Sequence, residues 1–132
     1  MLKNNLCNEF QNMVSEYLIR HKSIIDVMSK LQESNARINR ALAKSITVCG
    51  CLQVNAKKQN FPLDSNLSEL KNYTQSHLEG ALCSNCAEVL ENEIGSNLFY
   101  IAALCDLLGL NLQEVLKKEH DKIATLGIYN LS

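Results

Sequence analysis

The sequence predicts a small single-domain protein of the all-α class. Its 132 residues, 46% of them hydrophobic, have the length and composition of one ordinary globular domain. Apolar residues recur at steps of three and four over most of the chain, which is the spacing of one face of a helix. No segment shows the alternation of polar and apolar residues that is typical of strands. We therefore expect residues 1–132 to form a bundle of four or five helices without a sheet.

The first two helices are predicted in the N-terminal part of the chain. Helical spacing of apolar residues predicts one helix from about Leu6 to Arg20. A second and longer stripe runs from Ser23 to about Val48, and Gly50 is suited to end it. We expect residues 1–20 to be an N-terminal helix and residues 23–132 to form the bundle proper.

The middle of the chain has a weaker pattern. Residues 55–66 are polar and contain the only proline, Pro62, so we interpret this stretch as a loop. Asn66 and Glu69 have the spacing of a helix N-cap and its reciprocal partner, which predicts a short helix there.

Two further helices are predicted in the C-terminal part. Asn85 and Glu88 repeat the capping spacing at the start of a strongly apolar helix. The stripe expected to be buried on this helix consists of Leu90, Ile94, Leu98, Ile101, Cys105 and Leu108. Asn111 and Glu114 then predict the cap of a last helix, which extends to about Leu126.

Charge and hydropathy exclude several classes of function. The net charge of −1 provides no field that would attract nucleic acid or an anionic membrane. No basic cluster interleaved with aromatic residues appears, so we expect no nucleic-acid partner. The longest apolar run, residues 98–105, is too short to span a bilayer. The first residues lack the apolar stretch of a secretion signal, and we expect a cytoplasmic protein.

Four of the six cysteines form two closely spaced pairs, Cys49-Gly-Cys51 and Cys83-Ser-Asn-Cys86. Cysteines in a reducing compartment are more often metal ligands or buried thiols than disulfides. Zinc binds four thiolates in a tetrahedron, and each short pair can supply two corners. The sequence therefore predicts a structural zinc site that clamps the end of the long helix to the start of the helix near Asn85.

Other interpretations of the cysteines stay open at this point. The four could be unliganded thiols, Cys83 and Cys86 could form a redox pair, or His77 could replace one cysteine as a ligand. Cys105 falls on the apolar stripe, so we expect it in the core. Nothing in the sequence assigns a role to Cys7.

The segment that begins Glu93-Ile-Gly-Ser continues as an apolar helix, a glycine and a helix with an early acidic residue. It resembles the second conserved block of the MazG-like, all-α nucleoside triphosphate pyrophosphohydrolases, and residues 31–42 are similar to the first block. The match of the second block covers residues 93–122. The resemblance implies a MazG-like helical bundle that cleaves nucleoside triphosphates to monophosphate and pyrophosphate with magnesium.

Carried over residue by residue, the resemblance implies that Glu33 and Glu93 are magnesium ligands and that Lys122 binds phosphate. Family members have a second acid in each block, but Ala36 and Ser96 occupy those positions in this chain. Because magnesium that bridges phosphates needs several anionic oxygens, these replacements predict a degenerate magnesium site.

Two functions follow. For each we expect an oligomer, a dimer in particular, because small helical domains often complete their cores by dimerising. The first is a MazG-like pyrophosphohydrolase with a structural zinc, in which Lys122, Lys57 or Lys58 would meet the phosphates. The second is a non-catalytic, zinc-stabilised helical homodimer or partner-binding module. A thiol-based redox or metal sensor is a third hypothesis.

Overall fold

The computed structural model describes residues 5–64, 66 and 68–127, and these are mostly helical. The α-helices are α1 (Leu6–Tyr17), α2 (Ile24–Lys44), α3 (Ser84–Leu107) and α4 (Leu112–Leu126). A π-helical turn, Ser45–Cys49, continues α2, and a 3-10 turn, Leu70–Asn72, interrupts the long connection to α3. The prediction of a mainly helical chain is confirmed in this coarse form.

The prediction that the chain has no sheet is wrong. Strands β1 (Leu52–Val54) and β2 (Leu78–Gly80) pair antiparallel, with Leu52 opposite Gly80 and Val54 opposite Leu78. Each strand has three residues, which is too short for an alternating pattern to stand out in the sequence. The two strands lie directly beside the cysteine pairs, since β1 begins one residue after Cys51 and β2 ends three residues before Cys83.

The core lies where α1 and α2 pack against α3. It contains Val14, Leu18, Val27, Ala102 and Ala103, with Phe10, Phe99, Leu104, Leu107 and Leu112 around it. Ala102 and Ala103 are fully buried, and their small side chains allow the neighbouring helices to approach α3 closely.

The helix starts agree with the predicted caps at one end of the chain but not in the middle. The Asn111 side chain accepts a hydrogen bond from the Glu114 amide at 2.9 Å, as the spacing predicts. Asn66 accepts from the Glu69 amide at 3.0 Å, but only the 3-10 turn follows instead of a helix.

The predicted start of α3 at Asn85 is two residues late. Its N-cap is Cys83, whose Sγ accepts a hydrogen bond from the Cys86 amide at 3.4 Å. Sulfur is a weak acceptor and is absent from the usual cap pattern, which explains why the sequence pointed to the asparagine.

The predicted stripe on α3 is only partly buried. Leu90 and Cys105 are buried, whereas Ile94, Leu98 and Leu108 are exposed by about half. The residues of α3 that lie fully in the core are Ala102 and Ala103, with Phe99, Leu104 and Leu107 packed partly buried around the core. A band of large apolar side chains on α3 consequently remains at the surface.

Helix length and hydropathy decide whether a helix is suited to cross a membrane. Within residues 5–127, apart from the two positions left out, no single helix is both long enough and apolar enough to cross a bilayer. Helices α3 and α4 meet the criterion only when taken together, and they are bent by 106° with respect to each other.

Gln11 joins α1 to the turn between α3 and α4. Its side chain is buried; the amide Nε2 donates to the Leu110 carbonyl oxygen at 2.7 Å, and Oε1 accepts from the Leu112 amide at 2.7 Å. One side chain thereby satisfies two backbone groups of a different segment.

We predict that Gln11→Ala destabilises the protein by about 1–3 kcal/mol, because two backbone groups lose their partners in a partly buried place. Urea unfolding followed by circular dichroism measures this change. Asn12→Ala, at an exposed position of the same helix, is the matched control. Equal stability of the two variants would contradict the role assigned to Gln11.

Candidate metal centre and polar cavity

The four paired cysteines meet at one point. The Sγ atoms of Cys49, Cys51, Cys83 and Cys86 all lie within 4.8 Å of one another. The Sγ atoms of Cys49 and Cys83 are 3.8 Å apart, and a zinc–sulfur bond of about 2.3 Å places two tetrahedral ligands about 3.8 Å apart. The cluster could therefore bind a metal such as zinc, and a four-thiolate set is typical of closed structural sites.

The π-helical turn and Gly50 bring the first pair together. The Gly50 amide donates to the Ser45 carbonyl oxygen at 2.9 Å, and Gly50 adopts a φ of 77°, which reverses the chain direction. On a continuing α-helix the side chains of Cys49 and Cys51 would point about 200° apart. The prediction that the long helix ends here is confirmed.

The short sheet brings the second pair to the first. Gly80 lies opposite Leu52, has a φ of 84°, and approaches the Cys51 carbonyl oxygen so closely that a Cβ atom would collide with it. Cys83 follows three residues after this contact. Gly80 is thus a structural residue that the sequence analysis missed, and a glycine beside a cysteine pair was its only signal.

Local hydrogen bonds and burial shift the pKa values of Cys83 and Cys86 in opposite directions. Two hydrogen bonds lower the pKa of Cys83 to about 7. The larger effect comes from the Cys86 amide, which donates to Cys83 in the first turn of α3, and the smaller one from the Cys86 thiol. A hydrogen bond with Ser45 favours the Cys86 thiolate, but hydrogen bonding with Cys83 and burial outweigh it and raise the pKa of Cys86 to about 12. Since zinc binds thiolates, its binding must displace protons from the cluster.

The remaining candidates for this centre lie elsewhere. His77 is half-buried with a φ of 61°, and its carbonyl oxygen accepts from the Asn55 amide at 2.8 Å. It is outside the group of mutually close ligand atoms, which the four cysteines complete without it. Cys105 is buried, as expected for a core residue, and Cys7 lines an apolar groove on α1.

We predict that the protein purified without added zinc contains about one zinc per chain and that Cys83→Ser lowers this content severalfold. Zinc content measured by plasma emission spectrometry tests both. Cys7→Ser, which alters a half-buried cysteine outside the cluster, should retain the metal. Less than a tenth of an equivalent in the unaltered protein would contradict a zinc centre.

A second feature, which we call the polar cavity, lies between α2 and α3. Its volume is about 220 Å³, and it is lined by Lys30, Glu33, Ser34, Arg37, Glu93, Ser96 and Tyr100. Glu33 and Glu93, which the two sequence blocks single out, therefore line the same cavity from different helices. Ser96 lines it too, whereas Ala36 does not.

Two cations neutralise the carboxylates of the polar cavity. Arg37 Nε lies 3.3 Å from Glu33 Oε1, and its Nη1 lies 3.9 Å from Glu93 Oε2. Lys30 Nζ lies 3.2 Å from Glu33 Oε2. Lys30 and Arg37, by hydrogen bonds and by charge, lower the pKa of Glu33. With two acids and two bases, the cavity carries no net formal charge.

Asn97 joins the two helices beside this cavity. Its Nδ2 donates to Ser34 Oγ at 2.9 Å and to Asn35 Oδ1 at 2.6 Å. This contact and the position of Arg37 were not predicted from the sequence. The only signal for Arg37 was its location one helical turn after Glu33, where an ion pair is favourable.

The donor set of the polar cavity fits one magnesium ion at most. Magnesium in nucleotide sites is commonly held by one or two carboxylates together with substrate phosphates, and it keeps several waters. Glu33 and Glu93 could supply those carboxylates if Arg37 moved away from them. The two acidic pairs implied by the resemblance are not available, since Ser96 has no charge.

The lysines proposed to meet phosphate do not line the polar cavity. Lys122, on α4, pairs with Glu119 at 3.1 Å, and Lys57 lines a different cavity near His77. The phosphate-binding role of Lys122 stays a prediction. Lys30 and Arg37 are the cations that the fold places beside Glu33 and Glu93.

No protein-family model matches the chain, and no curated protein or solved structure matches it significantly.

Proposed function

We propose that the protein is a MazG-like nucleoside triphosphate pyrophosphohydrolase with a reduced magnesium site and a structural zinc centre. The observation that supports it is the shared cavity of Glu33 and Glu93. The resemblance implied a common site for these two residues, which are distant in sequence, and α2 and α3 bring them to one cavity.

In this proposal the triphosphate enters the polar cavity together with its magnesium ion. The bound ion would supply Lewis-acid polarisation of the phosphates and a water of lowered pKa. Glu33 and Glu93 would hold it, and Lys30 and Arg37 would exchange their carboxylate partners for phosphate oxygens. Because the side chains of the cavity carry no net formal charge, a divalent cation would make it positive, which favours a triphosphate.

The zinc centre would serve this site by fixing the helices that carry it. Cys49 follows the end of α2, and Cys83 and Cys86 lie at the start of α3. A metal bound to all of them ties these two helix ends together. The metal would then hold Glu33 and Glu93 in the same relative position whether or not substrate is bound.

We predict that Glu93→Gln lowers hydrolysis at least about 100-fold, since the ion would lose one of two anionic ligands. Pyrophosphate release is measured with a panel of canonical and modified nucleoside triphosphates and magnesium or manganese. Glu88→Gln, exposed on the same helix and outside the cavity, is the control. Absence of turnover above the Glu93→Gln background, from folded and zinc-loaded protein, would contradict the enzyme.

A second candidate function is a non-catalytic, zinc-stabilised homodimer, and the exposed area favours self-association. The chain exposes 10201 Å², whereas a folded monomer of 14.8 kDa is expected to expose about 7,000 Å². An obligate homodimer buries about 1,000–2,500 Å² per subunit, so such an interface would cover a large part of this excess.

An apolar groove of about 650 Å³ between α1, α3 and α4 is the surface we assign to the second copy. It is lined by Leu6, Cys7, Phe10, Leu98, Leu112, Gln113 and Leu116. None of these side chains is charged, and the net charge of −1 opposes self-association only weakly. The homodimer is compatible with either function.

We predict that the protein is a dimer at about 10 μM and that Leu98→Glu weakens the dimer at least tenfold, because it places a charge in an apolar interface. Sedimentation equilibrium measures both. Leu63→Glu, at a fully exposed loop position, is the control for added charge. A monomeric unaltered protein at this concentration would contradict the assignment.

A further inference from the structure

A second cavity of about 340 Å³, which we call the aromatic cavity, shares a lining residue with the polar cavity. Tyr100 lines both. The end of α1, the segment after it and α3 enclose the aromatic cavity, with Tyr17, Leu18, Ile19, Arg20, His21 and Phe99 as its other lining residues. The two cavities are therefore neighbours on α3, with Tyr100 between them.

The polar cavity and the aromatic cavity differ in chemistry. The polar cavity offers two acids and two bases, whereas the aromatic cavity offers three rings and two nitrogen-rich side chains. Phe99 and Tyr100 pack edge to face, with ring centroids 5.1 Å apart and an interplanar angle of 79°. Tyr17 is 64% exposed, so its ring is available to a ligand. Flat aromatic groups stack on such rings, and Arg20 and His21 can donate hydrogen bonds to ring nitrogens or carbonyls.

We propose that the aromatic cavity binds the base of the nucleotide whose phosphates occupy the polar cavity. This inference rests on the proposed function and names the part of the substrate that the acidic residues do not contact. An anionic chain with a flat aromatic group at one end matches a charged cavity that lies next to an aromatic one.

Size supports the same assignment. Pockets for small molecules commonly have volumes of about 300–1,000 Å³. At about 220 Å³ the polar cavity is below this range, and it would hold the phosphates and the ion but not a whole nucleotide. The aromatic cavity supplies the missing volume directly beside it. Tyr100, common to both, would lie next to the sugar.

Calorimetry of the full, zinc-loaded protein tests this inference with two probes. One is the magnesium complex of a nucleoside triphosphate whose α–β bridging oxygen is replaced by an imido group, which prevents cleavage there. The other is magnesium-bound inorganic triphosphate, which has no base. Because one stacked base typically contributes 1–3 kcal/mol, we expect the nucleotide to bind about 5- to 150-fold more tightly.

Tyr17→Ala should remove most of this difference and leave the affinity for inorganic triphosphate unchanged. Tyr73→Ala, a partly exposed tyrosine outside both cavities, should alter neither affinity. Circular dichroism and zinc content check that Tyr17→Ala is folded. If it is not, Arg20→Ala takes its place, with the same selective loss of nucleotide affinity expected.

The outcomes separate this inference from the proposed function. Equal affinity for the two probes, or an equal loss of both in the variant, would overturn the base-binding role even if the protein hydrolyses nucleotides. Binding that depends on Tyr17 without any turnover supports the inference and contradicts the hydrolase. Failure of both probes to bind would overturn both.

Discussion

The joint between α2 and α3 is the constraint on which the rest of the structure depends. A long and weakly patterned connection separates the two helices in sequence, and holding its ends together costs chain entropy. The four clustered thiols and the short sheet join these ends, and Asn97 links the same two helices beside the polar cavity. Metal binding to the thiols would stabilise this joint on the order of the stability of the whole domain.

The polar cavity shows how the chain places two acids close to each other. Glu33 and Glu93 would repel each other if both were ionised and unpaired, so Lys30 and Arg37 offset their charge. The formal charges of the side chains in the polar cavity therefore cancel. Any magnesium-bound ligand has to compete with Arg37, which is exposed enough to exchange partners at little cost. The same arginine that fills the cavity would then become a contact for phosphate.

The hydrophobic core is small because α3 uses alanines where α1 and α2 approach it. Ala102 and Ala103 bring the helices close together, but they bury little apolar area. Several large apolar residues of α3, such as Ile94 and Leu98, remain about half exposed. A second copy of the chain would cover part of this surface, and its contribution would supplement a core that is modest for a chain of this length.

The sequence by itself determined the features that depend on neighbouring residues. Helical periodicity, the Asn111 cap and the helix end at Gly50 are encoded within a few positions, and the spacing of the cysteine pairs favoured a shared metal site. Tertiary structure alone decided the pairing of β1 with β2, the face that α3 buries, the position of Arg37 between two carboxylates and the meeting of two cavities at Tyr100. Each of these joins segments that are distant in sequence, and a local pattern carries no information about which distant side chains will pack together.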